Sequence, residues 1–104
     1  METKTVEVYS EVTNRAVVRV PSREFPGALV QGDSLYVLFY RAMTVVADLD
    51  GGDEDAFLEA LALAEQLESY LLHYEAVLNE HEIQIPYVRD PGLSTAKYSH
   101  RWRK

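Results

Sequence analysis

The stretch SLYVLFYRAMTVVADLDGGDEDAFLEALALAEQLESYLLHYEAVLNEHE, residues 34–82, decides the fold. From Ser34 the apolar residues Leu35, Leu38, Phe39, Ala42, Val46 and Leu49 recur at spacings of three and four, the period of one helix face. Asp33 or Ser34 stands where a side-chain oxygen would cap the N–H groups of a helix start. As far as Ala47 the only charge is Arg41, and Tyr36, Val37, Tyr40, Met43 and Val45 make the remaining surface apolar too. A helix apolar nearly all round is buried on several sides or forms an oligomer interface. With an arginine at its middle it is also too short to be a membrane span. The Gly/Asp run 48–55 breaks the pattern, and a second helix is expected to about Glu82, with Glu54 and Asp55 at its positive end. Phe57, Leu61, Ala64, Leu67, Leu71, Tyr74 and Leu78 advance by three and four, a coiled-coil-like seam that Leu63, Tyr70 and Val77 widen for packing against the first helix. A short loop between two helices makes them antiparallel neighbours.

Upstream, the period changes to two. Residues 5–9 place Val6 and Val8 opposite Thr5, Glu7 and Tyr9, and residues 15–20 place Ala16, Val18 and Val20 opposite Arg15, Val17 and Arg19. These runs read as an antiparallel hairpin, with Asn14 suited to a positive φ in the turn and Glu7 able to face Arg19. Pro21 ends the second strand, and residues 28–31 form a third short one. The predicted fold is α+β: a small antiparallel sheet of two or three strands, then an antiparallel two-helix hairpin packed on it. Residues 1–88 form one domain. Residues 89–104, with Pro91, Gly92 and no clear period, read as a basic, extended or flexible tail.

The chain has 104 residues and a net charge of −7, which fits one globular domain. That charge is unevenly spread. Residues 1–47 are neutral, residues 48–82 hold eleven acids and no Lys or Arg, and residues 83–104 carry +4. The absence of Cys excludes disulfides and thiolate chemistry. No apolar leader segment is visible, so a cytoplasmic location is expected.

Several motifs suggest chemistry and fall short of it. Gly32-Asp33-Ser34-Leu35 spells the block that names one family of serine esterases, at a strand-to-helix corner where a nucleophile could sit. Those enzymes take their base from an Asp-x-x-His block, and no Asp lies within three residues before His73, His81 or His100. Asp48, Asp50 and Glu59 match positions of a calcium loop, but the required turn glycine is replaced by Asp53. His73 and Glu80 lie about 10 Å apart along a helix, too far to hold one metal. No catalytic residue, metal or cofactor is therefore expected. Seven tyrosines suit the edge of a core, and the tail residues Lys97, Tyr98, Arg101, Trp102 and Arg103 mix bases with aromatics. An acidic body repels nucleic acid, so that tail is expected to be solvated or laid on the protein's own acidic helix.

Tyr9-Ser10-Glu11, Thr13-Asn14, Phe25-Pro26-Gly27, Gln31-Gly32-Asp33-Ser34-Leu35, His73-Tyr74-Glu75 and Ile85-Pro86-Tyr87 together resemble a small bacterial family of unknown function. The resemblance spans residues 5–88. It implies a bacterial source and supplies no activity. The function expected from the residues is non-catalytic binding: the acids Asp53, Glu54, Asp55, Glu59, Glu65, Glu68, Glu75 and Glu80 dock a basic partner protein, as an inhibitor or immunity-type protein docks a toxin. The alternatives are a hydrolase using Ser34 and a homodimeric module joined through the apolar first helix.

Overall fold

The computed structural model describes residues 1–11 and 15–101. Strands β1 (Glu7–Ser10), β2 (Ala16–Arg19) and β3 (Gly27–Leu29) form one antiparallel sheet in the order β1-β2-β3. Helices α1 (Gly32–Leu49) and α2 (Glu54–Glu80) follow, then a 3₁₀ helix over Thr95–Arg101. This is the expected α+β order. Glu7 faces Arg19 across β1 and β2 and the two form an ion pair. The register shifts between Val8 and Ser10, where an extra residue bulges from β1. The expected turn at Asn14 lies outside the described residues.

The helices run antiparallel. Residues 50–53 join Leu49 to Glu54, and at the far end of α1 Gly32 lies under the ring of Tyr74. Gly51 turns the loop with φ 86°, a left-handed conformation that a side chain would strain. Asp53 caps α2, its carboxylate accepting the Ala56 N–H at 2.8 Å. Cap placement on α1 differs from the sequence reading. The helix begins at Gly32, ahead of both expected caps, and the Asp33 carboxylate accepts the Ser34 N–H inside the first turn. Glycine at 32 lets the Tyr74 ring lie against the helix backbone; a Cβ there would meet the tip of that ring, which would have to move. At the other end α2 stops at Glu80. Glu82 adopts φ 56°, its N–H reaches Asn79 O at 3.2 Å and the Ile83 N–H reaches Leu78 O at 2.8 Å, a Schellman-type stop built on a non-glycine residue.

The core is made by Phe39, Ala42, Met43 and Val46 of α1, Phe57, Leu61, Ala64 and Leu71 of α2, and Tyr98. The expected seam is present, with Leu67, Tyr74 and Leu78 half-buried along it. Each fully buried side chain, such as Phe39, Phe57 or Leu71, is worth roughly 1.5–3 kcal/mol. Two expectations about packing are revised. Leu63, Tyr70 and Val77 do not widen the seam; they are exposed on the outer side of α2. Among the described residues the sheet contributes none to the core, and what covers the hairpin is the C-terminal segment.

Two substitutions test these local constraints. Gly32→Ala should lower stability by about 1–3 kcal/mol, the cost of overpacking against Tyr74, despite alanine's better helix propensity. Glu82→Gly should raise stability by up to about 1 kcal/mol by relieving the left-handed residue. Urea unfolding of both variants measures each effect.

Candidate functional site

Acidic residues dominate α2, and the structure divides them into two groups. Glu68 and Glu75 fall about three and five whole turns after Phe57, on the core face of the helix. Glu68 is 9% exposed. A buried carboxylate must be paired and hydrogen-bonded to be tolerated, and both partners come from the segment after Pro86. Thr95, itself buried, donates its backbone N–H to Glu68 Oε2 at 3.3 Å and its hydroxyl to Glu68 Oε1. Arg89 donates to Glu75 Oε2 at 2.8 Å and lies 3.8 Å from Glu68 Oε2. The guanidinium also sits 5.4 Å from the centroid of the Phe39 ring, so it touches both helices.

Tyr87 completes the cluster. Its hydroxyl donates to Glu75 Oε2 at 2.7 Å, and its ring stacks on Tyr36 of α1 with centroids 4.5 Å apart. The Asp90 N–H donates to the Tyr36 hydroxyl oxygen at 3.1 Å. Further on, Tyr98 meets Phe57 edge-to-face at 5.6 Å. Residues 87–98 thus form a strap across the open side of the helix pair. Burial, the hydrogen bond to Glu75 and that residue's negative charge push the Tyr87 hydroxyl well above the ordinary tyrosine range, against a smaller opposing pull from Arg89.

This placement corrects the partner-binding set. Glu68 and Glu75 bind the protein's own strap, so residues 89–98 are docked on the helices rather than extended, as in the expected alternative of a tail laid on its own acidic helix. Asp53 serves as the α2 cap, Glu54, Asp55, Glu59 and Glu80 are exposed, and Glu65 is half-buried. Sequence reasoning missed Arg89, Thr95 and Tyr87 as partners. The available signal was the phase of Glu68 and Glu75, which sit where the seam calls for apolar residues. The tyrosines divide as core edge and surface: Tyr36, Tyr74, Tyr87 and Tyr98 pack, while Tyr9, Tyr40 and Tyr70 are exposed. Trp102 and the two residues after it lie outside the described residues.

Ser34 is half-buried in the first turn of α1. Among the described residues no hydrogen bond joins its hydroxyl to a histidine or carboxylate, and no group of three or more His, Asp or Glu converges on a metal position. Among the described residues no helix is long and apolar enough to cross a membrane. The described hollows are open surface features. One, of about 700 Å³, lies on the sheet between Val18, Val20, Phe25 and Leu29.

Fold and cluster together define a small α+β domain whose helical hairpin is closed by a C-terminal strap. The chain belongs to the family of unknown function DUF6959, whose model matches residues 1–87. Arg89, Thr95 and Tyr98, which complete the core, lie just beyond that match. Comparison with curated proteins and with solved structures gives no match.

The cluster makes two predictions. Arg89→Ala should cost about 3–5 kcal/mol in urea unfolding, because it leaves buried carboxylates uncompensated. Arg89→Lys should recover only part of that, lacking the planar fork that reaches both acids. Folded Tyr87 holds a proton that the unfolded chain releases near pH ~10. Stability should therefore be insensitive to Tyr87 below that pH and fall above it. In Tyr87→Phe that alkaline fall should be shallower, measured by unfolding at a series of alkaline pH values.

Proposed function

We propose that this protein is a non-catalytic, cytoplasmic binding module that docks a partner protein with a basic surface through the acids at the start and outer side of α2. The observation that carries this reading is the charge of Asp55, Glu59, Glu65 and Glu80, which stands outside the ion pairs of the strap. Residues 48–82 contain no Lys or Arg, and Arg89 is committed to Glu68 and Glu75. Asp55, Glu59, Glu65 and Glu80 enter none of the described ion pairs, and the first two lie on a rigid helix beside the acidic loop. Fixed charge of one sign on a rigid element steers a basic partner and makes its binding salt-dependent. The docking surface is thus Asp53, Glu54, Asp55, Glu59, Glu65 and Glu80, without the two acids that the strap occupies. Blocking a basic active surface, as inhibitor proteins do, is the role such a surface serves best.

The test is capture from a lysate of the source organism with the native chain and with Asp55→Lys/Glu59→Lys, at low and moderate salt. The proposal expects a basic protein that the native chain retains and that the charge-reversed chain holds at least tenfold less tightly, with equal circular dichroism. Equal capture by both chains, or no basic partner, would overturn it. Hydrolysis of activated esters that disappears in folded Ser34→Ala would replace it with the hydrolase reading.

A further inference from the structure

The register of the sheet puts Val8, Val18 and Gly27 side by side, with Ala16 beside Leu29 two residues along on the same face. Val6 and Val20 line one hollow at the end of that face, so it is apolar throughout. The opposite face carries the Glu7–Arg19 ion pair and the Tyr9 hydroxyl that donates to Glu7. An apolar sheet face needs a layer packed on it, and a sheet of three short strands is marginal without one. No strand residue joins the described core, Val8 is 49% exposed, and Phe25, which lines a hollow with Val18 and Leu29, is 75% exposed.

A second uncovered surface lies on the helices. Leu38 and Val45 stand about 180–200° round α1 from Tyr36, and Tyr70 and Val77 stand about 180–200° round α2 from Glu68. Tyr36 and Glu68 are both strap contacts, so these residues share the side of the hairpin away from the strap. Leu38, Val45, Leu63 and Tyr70 are each about half exposed there. The chain as a whole is extended to match. Its radius of gyration is 16.3 Å, where a compact domain of this length has about 13 Å. Its accessible surface is 7805 Å², roughly 1,900 Å² more than the ~5,900 Å² scaling expected for a compact monomer. That excess is what one protomer of an obligate homodimer buries, about 1,000–2,500 Å².

We propose that two copies of this chain form a two-fold dimer in which the apolar sheet face of each covers the strap-free side of the other's helical hairpin. A closed pair needs the same two patches on each copy, and this chain holds both. The dimer contact expected from the sequence through α1 is thereby moved to one edge of that helix and shared with α2 and the sheet. This pairing covers the outer side of α2 between Leu63 and Val77 and leaves the acidic loop and Asp55 at the start of the helix open.

Sedimentation equilibrium of the purified full chain, from micromolar to submillimolar concentration, should give twice the chain mass. The chain has no Cys, so single thiols report geometry. Chains carrying Val8→Cys mixed with chains carrying Tyr70→Cys should cross-link mainly as unlike pairs. Tyr70→Glu, at an exposed position, should keep its helical circular dichroism and dissociate at least tenfold more readily. A monodisperse monomer overturns the proposal, and so do cross-links confined to like positions, which would signal helix on helix. Asp55→Lys, in the first turn of α2 and off that stripe, should dimerise like the native chain, which separates this result from the partner test.

Discussion

Arg89 is held between Glu68 and Glu75 over the ring of Phe39, and the rest of the structure depends on that placement. Two carboxylates occupy positions on α2 that its own periodicity assigns to the core. Left without partners they would cost several kcal/mol and push the helix face toward solvent. The strap removes the conflict by bringing a guanidinium, the Thr95 hydroxyl and N–H, and the Tyr87 hydroxyl to the same place. Two negative charges face one positive charge, so the neutral donors are needed to complete the shell. The hairpin and the strap are therefore one folding unit.

This coupling also sorts the apolar surface. The strap covers one side of the hairpin, where Tyr36 and Phe57 receive Tyr87 and Tyr98. The other side, and one face of the sheet, keep their apolar residues outward. The acidic charge is sorted by the same event. What looked in composition like one run of acids is a structural pair inside the fold and a remainder on the surface. Only the remainder belongs to the docking surface proposed above, on the loop and outer side of α2.

The helices and strands were legible in the sequence because their determinants are local. The spacing of Phe57, Leu61, Ala64 and Leu71 sets a helix face whatever lies elsewhere, and the alternation of Val6 with Val8 or Val18 with Val20 sets a strand. The Glu7–Arg19 pair followed from register alone. That the tail lies on its own acidic helix was one of the readings the charges left open, but the strap's contacts were not legible, because its partners lie 12 to 54 residues upstream and its own residues show no period. Charge normally marks the solvent side of a helix, so Glu68 and Glu75 were assigned to a surface despite their seam phase. The first cap on α1 was misplaced for a related reason: only the Tyr74 ring, 42 positions away, explains why Gly32 belongs inside the helix.

The most direct test of the strap as part of the core is native-state amide hydrogen exchange on the full chain. The backbone amides of Thr95 and Lys97 should exchange at the slow rate of those around Glu68 in α2, as parts of one opening unit. Rapid exchange over residues 95–101 beside a protected α2 would contradict the account, since the strap would then be a tail resting on a hairpin that is stable without it.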